Sequence, residues 1–177
     1  MAIHVAAAQC RDATELAAVA ARTFPLACPP TAAPQNIALF IDAQLSAARF
    51  AEYLNDSDRV VLAAYDDGAI IGYCMLIRGV PDDDAHVQRA VGVRPSVELS
   101  KMYVLPDDHG SGVSDALMEA ALNHAAAMAA KSVWLGVNQQ NRRAQRFYAK
   151  HGFTINGTKT FHLGGELEND YVMVRLV

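Results

Sequence analysis

At 177 residues with a formal net charge of −4, the chain has the size of one domain and lacks the basic footprint of a general nucleic-acid binder. Hydrophobic residues make up 52%, which excludes a disordered chain, yet no run approaches the length of a membrane span and no basic, apolar leader opens the sequence. The cysteines Cys10, Cys28 and Cys74 are odd in number and widely spaced, which predicts free thiols in a cytoplasmic compartment, and no CxxC, HExxH or zinc-finger spacing predicts a metal.

In chain order, Ile3 to Ala7 is a short apolar strand. Asp12 with Glu15 three residues on reads as a capping box, followed by a helical stripe of Leu16, Val19 and Ala20 that ends near Phe24-Pro25. Residues 25–34 carry four prolines and predict an irregular loop. Asn36 to Ala48 predicts a second helix, with Ile37, Phe40, Ile41, Leu45 and Ala48 on one face, and Ala51 to Leu54 a short extra turn. Arg59 to Tyr65 and Ala69 to Gly79 read as strands of an antiparallel hairpin, since Asp66-Asp67-Gly68 is a tight-turn sequence. Residues 81–96, with Asp82, Asp83 and Asp84, show no clean period and predict a solvated loop.

The most informative stretch starts at Val97. Val97 to Leu105 is a β-rich run that Pro106 stops. Asp107 to Gly112 is turn chemistry, and from Val113 the spacing becomes helical, through Leu117, Ala120, Ala121 and His124 to about Ala130. A glycine-rich turn feeding a helix exposes backbone N–H groups at the positive end of the helix dipole, and so forms an anion cradle. Ser132 to Asn138 is a buried strand, parallel to Val97–Leu105 by a right-handed crossover. Asn141 to Lys150 is a short helix, closed by Gly152. Phe153 to Phe161 and Tyr171 to Val177 complete the strands. The expected architecture is a single α/β domain over residues 1–177: a mixed sheet of about seven strands, antiparallel early and parallel in the centre, flanked by about four helices.

Three blocks together resemble the GNAT superfamily of acetyl-coenzyme A-dependent N-acetyltransferases. They are the strand Glu98–Leu105 with the turn His109-Gly110-Ser111-Gly112-Val113-Ser114, the series Asn138…Asn141…Ala144…Phe147-Tyr148…Gly152-Phe153, and the late Asp170-Tyr171-Val172-Met173. The turn departs from the family pattern at two positions, where His109 replaces Arg or Gln and Ser114 replaces Gly or Ala. The resemblance implies transfer of an acetyl group from acetyl-coenzyme A to a primary amine by direct attack, without a metal. It implies that the backbone of Met102, Tyr103 and Val104 holds the pantetheine arm like an added strand, that residues 109–114 hold the pyrophosphate, and that Asn138 and Asn141 steady the pantetheine end. Tyr148 matches the family's general acid, and Glu98 stands where some members place a base. Asp170 and Tyr171 could line the acceptor site, shaped by residues 25–36 and 156–169. The acceptor itself is not named by any residue, and a homodimer through edge strands is compatible. Two competing functions are a non-catalytic acyl-coenzyme A-binding module, suggested by His109 and Ser114, and a serine hydrolase, which the absence of a GxSxG elbow disfavours.

Overall fold

The computed structural model describes residues 2–177. Seven strands form one sheet in the order β1-β2-β3-β4-β5-β7-β6. They are β1 Ile3–Ala7, β2 Arg59–Asp66, β3 Ala69–Arg78, β4 Ser96–Val104, β5 Ser132–Asn138, β6 Thr154–Leu163 and β7 Glu166–Leu176. Every neighbouring pair is antiparallel except β4 and β5. Six α-helices accompany them among the described residues: α1 Ala13–Ala27, α2 Pro34–Gln44, α3 Ala47–Asn55, α4 Ala85–Ala90, α5 Val113–Ala127 and α6 Arg142–Lys150. The seven-stranded mixed sheet and its single parallel pair agree with the sequence reading.

The helices split the core by sheet face. One side buries Leu16, Phe24, Phe50 and Tyr73 beneath α1 to α3. The other buries Val113, Leu117, Met118 and Ala121 of α5 against Leu62, Cys74, Val97 and Leu99. At the β2–β3 hairpin, Asp67 and Gly68 take φ of 49° and 79°, the turn that matches strand twist.

Several boundaries differ from the sequence expectations. Helix α1 continues through Pro25 to Ala27. That proline forfeits one hydrogen bond in the last turn, while the neighbouring Phe24 is buried and stacks on Phe40 at 4.6 Å. The helix expected over 36–48 is two helices. Ser46 starts the second of them, its Oγ accepting the Arg49 N–H at 3.1 Å to cap α3. The acidic run is not only a solvated loop, because Asp84 Oδ1 accepts from the N–H groups of His86 and Val87 and starts α4. Asp12 and Glu15 make no capping box for α1. Glu15 Oε1 accepts the Ile70 N–H at 2.9 Å and ties α1 to β3. Finally, β7 begins at Glu166, five residues before the expected Tyr171.

Two features of β4 shape the middle of the sheet. Its register against β3 slips between Leu76↔Leu99 and Met75↔Lys101, leaving Ser100 as the extra residue of a bulge. The bulge resets the alternation of faces. Leu99, Met102 and Val104 pack toward α5, whereas Tyr103 packs toward α1. Secondly, β4 pairs with β5 only from Ser96↔Ser132 to Glu98↔Trp134. At this closed end Ser132 Oγ donates to the Val93 carbonyl at 2.6 Å and lies 2.8 Å from Ser96 Oγ. Beyond Glu98 the two strands part.

Candidate active site

The parting strands open a cleft of about 410 Å³. Its banks are Glu98–Val104 of β4 and Gly136–Asn138 of β5. From the α5 side, His109, Ser114, Arg143, Phe147 and Tyr148 line it, and from the α1 side Phe24, Cys28, Phe40, Lys159, Phe161, Glu168 and Asp170 do so. The cleft therefore passes through the sheet, with one mouth on each face.

The β4 bank offers backbone groups. Leu105 N–H bonds the Ile71 carbonyl, directly opposite in the β3–β4 ladder. Alternation along an antiparallel ladder then turns the groups of Tyr103 toward β3, and those of Met102 and Val104 toward the slot. Of the three residues expected to hold an added strand, two present free edges there, and Tyr103 contributes its ring instead.

On the α5 side, Gly110 and Gly112 adopt φ of +79° and +87°, a conformation that other residues enter at a cost. The N–H groups of Val113 and Ser114 lie in the first turn of α5, where no earlier carbonyl can reach them. The geometry is an anion cradle at a helix N-terminus. Ser111 Oγ donates to the Asp108 carbonyl and has no histidine or acid partner, which removes the basis for a serine nucleophile. His109 does not point into the cradle. Its Nε2 lies 2.8 Å from the Val104 carbonyl, and Arg143 Nη2 lies 3.1 Å from its Nδ1. A guanidinium only donates and a carbonyl only accepts, so these contacts pair Nδ1 as acceptor with Nε2 as donor. His109 thus holds the turn to β4 at the very carbonyl that faces the slot.

Helix α6 is set over this cradle by its ends. Asn141 Oδ1 caps it through the Ala144 N–H at 3.1 Å. At the other end, Asp115 of α5 meets His151 Nε2 at 2.8 Å and Lys150 Nζ at 3.2 Å. Asn138 Oδ1 accepts the Gln140 N–H at 2.9 Å and shapes the turn between β5 and α6. Both asparagines line the cleft while also building its frame. Tyr148 packs edge-on to Phe147 and Phe153, at 5.6 and 5.9 Å between ring centres. Burial pushes its phenol above the ordinary tyrosine range, so it stays protonated and remains a donor.

The α1 side of the cleft is aromatic and charged. Phe40 bridges Phe24 and Phe161, the latter at 5.2 Å. Glu98 enters here; burial raises its pKa, against the pull of Lys101, Lys159 and Arg59. Lys101 is itself lowered to about 8 by burial, beside Arg59 and Arg49. Asp170 is only 7% exposed, and burial lifts it to about 6. Tyr171, named with Asp170 as an acceptor-side residue, instead packs toward the α5 core, because successive strand residues face opposite ways. Cys28, Lys159 and Glu168 fall within the stretches 25–36 and 156–169 expected to shape the acceptor side, without having been singled out, whereas Lys101 and Gly136 lie outside that expectation. Glu168 was within reach of the period-two rule from Asp170, but Lys101 depends on the Ser100 bulge, which has no sequence signal.

Comparison with known proteins converges on one family. The family model described as "Acetyltransferase (GNAT) family" matches residues 22–153. An uncharacterized N-acetyltransferase of Mycobacterium tuberculosis (strain ATCC 25618 / H37Rv) is 62% identical over 164 residues, covering 93% of this chain and 97% of the relative. An uncharacterized N-acetyltransferase of Lactobacillus delbrueckii subsp. lactis is 24% identical over 92% of this chain and 91% of its own. Among solved structures, the PaiA N-acetyltransferase of Thermoplasma acidophilum in complex with coenzyme A superposes with a TM-score of 0.79, covering 100% of both chains at 19% identity.

Proposed function

The chain belongs to the acetyltransferase (GNAT) family, and from that premise we propose that the through-sheet cleft carries acetyl transfer from acetyl-coenzyme A to a primary amine. The observation that carries this reading is the pairing of a free β4 edge with a helix N-terminal cradle at one mouth, and a carboxylate-bearing pocket at the other. The two halves suit a thioester cosubstrate. Val113, Ser114 and the glycine turn would hold its pyrophosphate, and the backbone groups of Met102 with the N–H of Val104 would hold its amide-bearing arm. Acetyl-coenzyme A supplies the activated carbonyl that an amine can attack.

The residues of the chain then have three tasks. Tyr148 donates a hydrogen to sulfur as the carbon–sulfur bond breaks. A carboxylate on the α1 side, where Glu98 and Asp170 both stand, takes the proton that the amine must lose. Phe24, Phe40 and Phe161 exclude water and seat an apolar body attached to that amine. Family membership favours this enzyme over a non-catalytic acyl-coenzyme A-binding module. No helix among the described residues is long and apolar enough to cross a membrane. Three unpaired thiols support a cytoplasmic setting. The free edge of β6 is the strand on which a homodimer would form.

The test is release of free thiol from acetyl-coenzyme A in the presence of a panel of primary amines. We expect amine-dependent release and an acetylated product by mass spectrometry. Coenzyme A binding without release for any amine would overturn the reading.

A further inference from the structure

Three carboxylates line the acceptor side, Glu98, Glu168 and Asp170, and the surroundings of Glu98 and Asp170 differ. Glu98 stands at the closed end, on the last rung that joins β4 to β5. Burial raises its pKa, and three cations, Lys101, Lys159 and Arg59, oppose that rise. Asp170 stands on the opposite bank, across from Asn138 of β5 and Lys159 of β6. Among the described residues nothing donates a hydrogen bond to its carboxylate, and Lys159 Nζ turns instead to the Thr160 carbonyl at 3.2 Å.

Gly136 explains how that carboxylate reaches the cleft. A Cβ there would stand 3.2 Å from Asp170 Oδ2 and 3.2 Å from Lys159 Cδ. The bare glycine lets the carboxylate lie over the β5 backbone, on the bank that carries Val137 and Asn138. Tyr103, Tyr148 and Asp170 all line the same cleft. A nearly buried carboxylate without a donor is costly to keep, and a proton acceptor must be kept in that condition.

We propose that Asp170, and not Glu98, takes the proton from the attacking amine, an inference that rests on the transferase reading. As the amine nitrogen bonds to the thioester carbonyl carbon, its proton passes to an Asp170 oxygen. The carbon–sulfur bond breaks, and sulfur takes the hydrogen of Tyr148. Asp170 then returns its proton to the Tyr148 phenolate through solvent, which leaves amide and thiol as the only products. The charged groups around Asp170 are consistent with this. Burial lifts its pKa to about 6, against the pull of Lys159 on β6 and with a smaller push in the same direction from Glu168 on β7. Tyr103 on β4 and Cys28 after α1, the thiol pushed up to about 11, stay neutral beside it.

The experiment compares the wild-type chain with D170N, D170E and E98Q. Thiol release from acetyl-coenzyme A with 2-phenylethylamine, an aromatic amine suited to the Phe24–Phe40–Phe161 wall, is followed from about pH 5 to 9. Aspartate carboxyl carbons are titrated in parallel by NMR on 13C-labelled protein with coenzyme A bound. We expect D170N to lose about 100-fold or more in kcat with unchanged coenzyme A affinity, and D170E to recover part of it. E98Q should keep the wild-type acid limb near pH 6, and one carboxyl titrating near 6 should vanish from the D170N spectrum. The proposal is overturned if D170N keeps roughly a third or more of kcat with the acid limb in place. It is equally overturned if the Asp170 carboxyl titrates below about 5, a result that needs no accepted amine. Silence of the wild type toward every amine would break the transferase reading instead.

Discussion

Single side chains divide the cleft into donors and acceptors of protons. Tyr148 is positioned by two aromatic edges, and among the described residues its hydroxyl makes no hydrogen bond that would compete with a sulfur atom in the slot. Tyr148→Phe should lower kcat by about 100-fold with little change in KM, since the bond matters only as sulfur departs. Steady-state kinetics with any accepted amine checks this, and an unchanged kcat would remove the role. A second phenol makes the contrast. Tyr73 is wholly buried, and among the described residues its Oη has no hydrogen-bond partner. It lies among Phe50 and Tyr103, with ring centres 5.5 and 5.9 Å away, and does not line the cleft. An orphan buried hydroxyl costs about 1–3 kcal/mol, so Tyr73→Phe should raise Tm and leave kcat alone. A fall in Tm would show that the hydroxyl has a partner in solution.

At the scale of elements, the turn into α5 is where backbone conformation and binding meet. Nothing lies within 4 Å of a Cβ built on Gly112, so the protein itself has room for a side chain there. The obstacle is the φ of +87°, which costs a β-branched residue about 1–2 kcal/mol, and the loss of open space over the cradle. Gly112→Val should therefore weaken acetyl-coenzyme A binding at least about tenfold while the fold survives, as calorimetry and circular dichroism together would show. Equal affinity would move the pyrophosphate elsewhere. This element was readable from sequence because glycine, proline and helical period all change within a dozen residues. Others were not, for identifiable reasons. The break between α2 and α3 is hidden because Leu45 and Ala48 continue the apolar stripe across it, and only the Ser46 cap decides. Helix α4 spans six residues, too few to show a period. The early part of β7, Glu166 to Asp170, is polar enough to read as a turn, yet it pairs with β6 along its whole length.

For the molecule as a whole, the cleft exists because one bulge and one failed pairing fall at the same place. The strands, the β2–β3 hairpin and the parallel β4–β5 neighbours followed from period and turn chemistry, whereas the place of β7 between β5 and β6 did not. The slot did not, since pairing lost beyond Glu98 is a tertiary outcome that no local run of residues records. The same layout makes the fold's stability depend on its ligand. The two banks are joined by three strand rungs at the closed end and by His109 and Arg143 at the α5 mouth. A cosubstrate lying between Met102–Val104 and the cradle would tie β4 to α5 and α6, contacts that only the folded chain can offer. Binding to the native state alone adds RT ln(1 + [L]/Kd), about 2.7 kcal/mol at a hundredfold excess over Kd. For a chain of this size that corresponds to a Tm rise of roughly 5–10 °C. Thermal unfolding with acetyl-coenzyme A, coenzyme A and adenosine alone measures it. The first two should give the full rise and adenosine almost none, because the gain comes from the strand edge and the pyrophosphate cradle together. An adenosine shift as large as that of coenzyme A would place the binding energy outside the slot and would detach the cleft from the cosubstrate.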